Sequence, residues 1–517
     1  MVEVAEKMTE KNRSRLAGNT ISLTIAGAVG MLFTLIQLSI LSRYLDNEVF
    51  GLFVALRGFS LLFSTLILAG LPQVIIRFFP SYQNRGETFR AFILFTASIT
   101  VILLLGTAVV LSSGSWRGFI PDTGLSGNDP AITGWLAAAS VAIALKLLLY
   151  SVFNGQRVMH YQMILEVIYL AVFTFVIFIL RHGLGLVMLF RLLCILNTGV
   201  FIAGLPFAFL SMKRGRDALR VSGVKEIITP SFMPYLGNSI LLSLVALAFT
   251  DFDRFLMSSV LPLSSISLFH IASRINSLLK RFLGYPVIAL QPEITRIYEE
   301  GRYEELKGKI VLFTKTTFIS ALFFVFVTAV AGRSAIRILS GEAFDPSYRI
   351  LLVLLPCVPV AALIAPLLST MRGLHFMRWA VLADFVWMGV YFGTFLVFVS
   401  AMGVTGMAVA QLCATLVQMT VVVAVSKKYG FYGGVGRGCG RALVVFSIFT
   451  ITGVFAVHIW NFPAAAIIVV LSPFILKGVV SGLKLFDKNE SEMLRDMIRV
   501  RVLQNGITWI TGNWRNR

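Results

Sequence analysis

Charge is scarce in this chain: 14% of its 517 residues are charged, against 57% that are hydrophobic. A soluble globular domain carries about 25% charged residues, so this balance excludes one. Also missing is any polar stretch of the ~100 residues that a separate soluble catalytic domain needs. Cysteine is rare, with Cys194, Cys357 and Cys413 inside apolar runs and Cys439 in a connection. That placement excludes a disulfide framework and has no metal-ligand spacing. The five histidines are scattered and form no ligand set. The glycine-rich stretch Gly433 to Arg441 lacks the Gly-Lys-Ser/Thr ending of a phosphate loop and sits between two apolar runs, so nucleotide binding is not expected there. No cofactor or metal is expected.

What the chain does have is long apolar runs. We read about fourteen, each near the length that crosses ~30 Å of hydrocarbon at 1.5 Å per residue. They lie at 18–45, 49–72, 89–112, 131–155, 163–181, 184–211, 232–261, 263–290, 310–332, 348–372, 379–402, 404–426, 438–459 and 464–486. The expected fold class is an all-α polytopic membrane protein. The first run is too long and too late for a cleaved secretory segment, so Met1 is expected in the mature chain.

The positive charge is unevenly placed. One side holds Lys7, Lys11, Arg13 and Arg15, the loops 73–90, 156–162, 212–231, 291–309, 373–378 and 427–441, and the tail. The opposite side carries only Arg117, Arg181, Arg333 and Arg337. Basic loops stay cytoplasmic, so both termini are expected there, in a cell or inner membrane. The net charge of +20 is then accounted for by loops beside anionic lipid, and nucleic acid is not an expected partner. After Lys484 the spacing of Met493, Leu494, Met497, Ile498 and Arg501 suits an amphipathic helix. It would lie on the membrane or bind a partner.

The chain restarts near residue 232. Leu16-Ala17-Gly18-Asn19-Thr20-Ile21 opens the first run and Tyr235-Leu236-Gly237-Asn238-Ser239-Ile240 the seventh. Ala69-Gly70-Leu71-Pro72 ends the second and Leu283-Gly284-Tyr285-Pro286 falls near the end of the eighth. Six helices between starts preserve topology, which gives two parallel repeats with a substrate site between them, a transporter pattern. The organisation expected is a cytoplasmic N-terminus (1–17), a six-helix lobe (18–211), an inter-lobe linker (212–231), a second six-helix lobe (232–426), two further spans (438–486) and a cytoplasmic amphipathic tail (487–517).

Ionisable groups in hydrocarbon are costly and by default face a wet cavity or a partner. Counted from the outer ends, Arg57, Asp253, Arg254 and Arg274 lie about 10–16 Å deep, with Asp251 one turn further. They read as a cationic cavity suited to a phosphate or pyrophosphate. The competing reading is of ion pairs that lock helices, Asp253 with Arg274 or Asp251 with Arg57. Lys280 and Arg281 would continue the cationic track inward, and Arg191 and Lys146 could line the first lobe, while Arg43 and Arg349 lie near enough to the interface to snorkel. Nearer the inner ends, Asn238 and Asp384 lie at about equal depth, 6–8 Å. They could hold Na⁺ or exchange a proton, or Asp384 could simply meet water at a helix end.

Further strings carry a family likeness: Leu41-Ser42-Arg43-Tyr44-Leu45 with Phe50-Gly51-Leu52-Phe53, Asp253-Arg254-Phe255-Leu256, Gln291-Pro292-Glu293-Ile294-Thr295-Arg296 with Glu304-Glu305-Leu306, Leu339-Ser340-Gly341-Glu342-Ala343-Phe344, and Gly403 to Ala410. In order and spacing the chain resembles the polysaccharide-transporter branch of the MOP (multidrug/oligosaccharidyl-lipid/polysaccharide) flippase superfamily. The resemblance implies a MATE-like pair of lobes around a V-shaped cavity walled by spans one, two, seven and eight. It implies alternating access that moves a polyprenyl-linked oligosaccharide to the outer leaflet, a lipid-tail groove in the last two spans, and Na⁺ or H⁺ coupling through acidic groups such as Asp384. The partners it implies are the glycan substrate, membrane lipids and glycan assembly enzymes, and a monomer suffices. The alternative is a drug or metabolite exporter of the same superfamily, which would favour an acidic, aromatic cavity. An enzyme is not expected: the longest outer loop is about 18 residues (113–130), and its Asp122 and Asp129 read as ordinary loop residues. A scaffold without transport would leave the buried charges unexplained.

Overall fold

Serine and threonine are frequent in the apolar runs, and a hydroxyl in hydrocarbon has to find its own partner. Here it folds back on the helix one turn earlier: Thr34, Ser98, Ser140, Thr174 and Thr314 each donate to the carbonyl four residues before them, at 2.6–2.9 Å. Such bonds satisfy the hydroxyl without breaking the backbone ladder, so these residues sit inside helices.

The computed structural model describes residues 27–84, 88–115, 130–156, 158–212, 232–247, 252–374, 376–432, 436–486 and 490. Among them the long elements are α1 (Gly27–Tyr44), α2 (Asn47–Leu68), α3 (Leu71–Asn84), α4 (Thr88–Ser112), α5 (Pro130–Gly155), α6 (Met159–Ile179), α7 (Leu186–Met212), α8 (Phe232–Leu247), α9 (Phe252–Met257), α10 (Leu263–Glu299), α11 (Tyr303–Ser340), α12 (Ser347–Leu354), α13 (Cys357–Gly373), α14 (Met377–Met402), α15 (Val404–Lys428) and α16 (Gly436–Gly482). Twelve helical segments among the described residues are long and apolar enough to cross a membrane. The protein is a multi-pass helical membrane protein.

The expected runs 232–261 and 263–290 correspond to α8 with α9 and to α10. Segments of 16 and 6 residues are too short to qualify as spans alone, and serine, asparagine and cations dilute α10. The run 348–372 is two helices, because Pro356 caps α13 and cannot continue the hydrogen-bond ladder of α12. α10 and α11 outlast their apolar runs and meet at Gly301, whose φ of +73° glycine adopts readily. Hydropathy marks the buried stretch of a helix and not its full length.

α16 is continuous in backbone hydrogen bonding for 47 residues, about 70 Å if straight. It is not straight. Lys315 Nζ meets Glu490 Oε1 at 2.7 Å, and Cys439 lies within electrostatic reach of both. Its mid-part approaches the far half of α11, with Gly453 against Phe326 and Val330. Two stretches of α16, Cys439–Ile459 and Ala465–Gly482, are each long and apolar enough to cross a membrane.

The chain divides into two compact units, Met1–His270 and Ile271–Arg517. In the first, α5 is the central helix, with 83% of its membrane window buried. Its small residues, Ala137, Ala139, Ser140, Ala142 and Ala144, are at 3% exposure or less and let α2, α4 and α7 approach closely. α8 and α9 belong to this unit because they pack along α2 and α3. Gly70 (φ +73°) makes that packing possible: a Cβ there would stand 2.7 Å from the Ile240 amide nitrogen. In the second unit, α11 packs on α13 and α16, and α14 pairs with α15. Its core runs through Ile310, Phe326, Leu367, Met371 and Phe446. Residues 1–17, the linker from 213 to 231, and the tail apart from Glu490 lie outside the described residues.

Candidate functional site

Helix packing sets the surroundings of the cationic residues on α2 and α9. Helix α2 lies against α9, and at its N-terminal turn it meets the start of α10 so closely that a Cβ on Gly51 would fall 1.9 Å from Leu263 O. Phe50 packs edge-on against His270 at 5.8 Å, and Phe53 against Phe190 of α7 at 5.7 Å. Arg57 sits six residues along α2 from Gly51, about 9 Å, and is partly buried. Among the described residues none forms a hydrogen bond or ion pair with it. Arg254 is 6% exposed, lies 3.5 Å from the Asp253 carboxylate, and stands over the Phe269 ring at 5.7 Å. A guanidinium so placed is held by an aromatic face and a neighbouring carboxylate. Asp251 lies outside the described residues.

Also in this unit, Arg191 is exposed on α7 and stands over the Trp135 ring at 5.2 Å. Lys146 does not line an open wall. It is 8% exposed and pairs with Glu166 of α6 at 3.2 Å. Tyr150 donates its hydroxyl to the same Oε2 at 2.7 Å, and the Lys146 ammonium lies 4.1 Å from the Tyr169 ring centroid. Sequence reading missed Glu166, although a signal existed. Lys146 precedes the end of α5 by nine residues and Glu166 follows the start of α6 by seven, so an antiparallel pair puts them at one level.

In the second unit, α10 carries Arg274 and Lys280, both partly buried, and the exposed Arg281. Lys280 lies near Cys357 of α13. Asp384 of α14 accepts hydrogen bonds from Arg372 at 3.0 Å and from Gln418 of α15 at 3.0 Å. One turn along the same seam, Trp387 Nε1 donates to Thr415 Oγ1 at 3.2 Å. Asn238, by contrast, is exposed on α8 in the first unit. Where α11 joins α12, Arg333 and Arg337 both grip Asp345, at 2.7 and 3.0 Å. These hydrogen bonds, Arg333 foremost, hold the Asp345 carboxyl down to about 2. Among the described residues no group of three His, Cys, Asp or Glu side chains could hold a metal ion.

Repeated membrane-length helices that carry guanidinium and ammonium groups within their apolar stretches define a polytopic helical membrane protein. The sequence profile of the polysaccharide biosynthesis protein family matches residues 16–298, over half of the chain, and the protein belongs to that family. The fold is similar to that of the lipid II flippase MurJ in an inward closed conformation (TM-score 0.65, 14% identity, covering 89% of this chain and 98% of that one). It is also similar to a MATE transporter from Vibrio cholerae (TM-score 0.58, 14% identity, 83% and 99%) and a MOP superfamily transporter from Pyrococcus furiosus (TM-score 0.57, 16% identity, 80% and 95%). At such identity the likeness is one of fold. Among curated proteins no sequence match is found.

Proposed function

We propose that the protein is a flippase that carries a polyprenyl-(pyro)phosphate-linked oligosaccharide from the cytoplasmic to the outer leaflet by alternating access, for surface polysaccharide or glycoconjugate assembly. The observation that carries this reading is the set of cations at membrane depth: Arg57 and Arg254 in the first unit, Arg274, Lys280 and Arg281 in the second. Guanidinium groups bind phosphate oxygens bidentately, and membership of a polysaccharide biosynthesis family supports a glycan on that phosphate. The polyprenyl tail stays in lipid, so only the polar head needs the protein. Arg57 and Arg254 would hold the head group, Asp253 would orient Arg254, and Asp384 with its partners would carry a coupling Na⁺ or H⁺. The orientation that goes with this has both termini in the cytoplasm.

The fold is shared with MATE transporters, and an exporter of organic cations is the second reading. Like charge opposes it, since a cationic drug would have to enter beside the buried Arg254. Lipid analysis of a deletion strain separates the two. A flippase leaves a polyprenyl-linked oligosaccharide accumulating on the cytoplasmic face, with the matching surface polymer lost. An exporter leaves the surface glycan unchanged and alters sensitivity to organic cations.

A further inference from the structure

Both ends of α11 carry cations, and their charge is balanced differently. Around its start Arg302, Lys307, Lys309 and Lys315 meet as many carboxylates, those of Glu300, Glu304, Glu305 and Glu490. At its end two guanidiniums share one carboxylate. Arg333 gives Asp345 its Nε and Nη2 at 2.7–3.1 Å, and Arg337 gives the same two groups at 3.0–3.1 Å. Arg333 alone reaches both oxygens of Asp345, so a staple between α11 and α12 has no need of the second arginine. Nη1 of each guanidinium forms no hydrogen bond or ion pair among the described residues, and the two side chains are 40% and 45% exposed. Glu342, exposed on the same turn, pairs with neither. Residues 333–349 carry Arg333, Arg337 and Arg349 against Glu342 and Asp345, which leaves a surplus of one positive charge.

The pair stands on a fixed base. The Tyr348 hydroxyl donates to Ala329 O at 2.6 Å, Phe344 is buried, and a Cβ on Gly332 would meet Leu351 at 3.2 Å. α12 therefore lies close against α11, and the guanidiniums are oriented before any ligand arrives. The turn 341–346 joins two stretches that are each long and apolar enough to cross a membrane, Tyr303–Ser340 and Ser347–Arg372. A connection this short between two crossings lies at the level of the lipid headgroups. Ile338, next to Arg337, is 62% exposed, as suits a side chain that meets acyl chains. We propose that this turn binds the phosphate headgroup of an anionic membrane phospholipid, with Nη1 of Arg333 and of Arg337 donating to the phosphate oxygens and Asp345 holding the two guanidiniums in place. A guanidinium matches phosphate geometry and is less strongly hydrated than an ammonium. The surplus charge selects an anionic headgroup, because a zwitterionic one brings its own ammonium to the phosphate.

The test is native mass spectrometry of the full-length protein, titrated with phosphatidylglycerol and, separately, with phosphatidylcholine of the same acyl chains. The wild type should retain phosphatidylglycerol in preference to phosphatidylcholine. Arg333→Gln/Arg337→Gln should raise the apparent Kd of the tightest phosphatidylglycerol at least about tenfold, the value of one charge-assisted hydrogen bond. Should that variant fail to fold, Arg333→Lys/Arg337→Lys decides: it keeps the charge but not the planar fork, and it should weaken the same lipid severalfold. A phosphatidylglycerol affinity unchanged in the folded variant, or a wild type that does not discriminate between the two lipids, overturns the proposal. A third titration, with a polyprenyl monophosphate, separates the two sources of a lipid phosphate. Tighter binding of that lipid than of phosphatidylglycerol, lost in the same variant, would assign the site to a transported lipid and overturn the phospholipid assignment. No glycan and no transport enter this readout, so it stands or falls apart from the flippase reading.

Discussion

A guanidinium at membrane depth is stable only if something faces it, and the two arginines of the first unit meet that demand differently. Arg254 is enclosed by Asp253 and the Phe269 ring, whereas Arg57 has no partner among the described residues. An unengaged cation is the one with most to give a ligand, so Arg57→Ala should cut glycan export at least about tenfold, the value of one charge-assisted hydrogen bond, with membrane expression and melting temperature unchanged. Complementation of a deletion strain reads the first effect, and a thermal scan of purified protein the second. Arg254→Ala should cost both export and stability, since it strips cover from the Asp253 carboxylate. Where α11 joins α12, Asp345 is held, partly exposed, between Arg333 and Arg337. Its folded carboxyl at about 2 lies below the ordinary 3.8, so its stabilisation is complete above about pH 4 and is lost as pH falls toward about 2. Because the cluster is well exposed and screened, Asp345→Asn should cost only about 1 kcal/mol at neutral pH. Melting curves of the two proteins should converge on acidification.

At the scale of the elements, close backbone approach decides the packing of the first unit. Gly51→Ala places a Cβ inside the Leu263 carbonyl, and the helices have to part, at a cost of about 1–3 kcal/mol. Gly199→Ala on α7, where a Cβ meets nothing within 4 Å, should be neutral or stabilising by up to about 1 kcal/mol through helix propensity. Melting temperatures of the two variants in one detergent check the contrast. The course of the chain beyond α16 carries its own test: a short bifunctional thiol cross-linker should join Lys315→Cys to Glu490→Cys, which a straight run from Cys439 onward would prevent. Apolar runs were legible in the sequence because each reports the width of a bilayer. The pairing of Lys146 with Glu166 was not, since it needs the depth of both helices and their common face, and a run of hydropathy contains neither. Likewise, Asp384 could be picked out as an intramembrane carboxylate, but its engagement by Arg372 and Gln418 depends on α14 and α15 lying side by side.

For the whole molecule, the question is what drives substrate movement. Asp384 is already held by a guanidinium and an amide, so a coupling ion there has to displace Arg372 or act through it. Asp384→Asn should abolish the dependence of flipping on an imposed Na⁺ or H⁺ gradient in proteoliposomes while leaving binding of the glycan lipid intact. Unchanged gradient dependence would place coupling elsewhere. The sequence by itself determined that this chain is helical, spans a membrane many times and places its basic loops mainly on one side, because hydrophobic length and charge asymmetry act locally and survive without any tertiary contact. It also marked the cations that have no place in lipid. Only the tertiary structure decided which of those cations are already paired, that α8 and α9 pack on the first unit through Gly70, and that Lys315 of α11 meets Glu490 beyond the end of α16. Each of these rests on a contact between residues far apart in the chain, and neither spacing nor composition specifies such a contact.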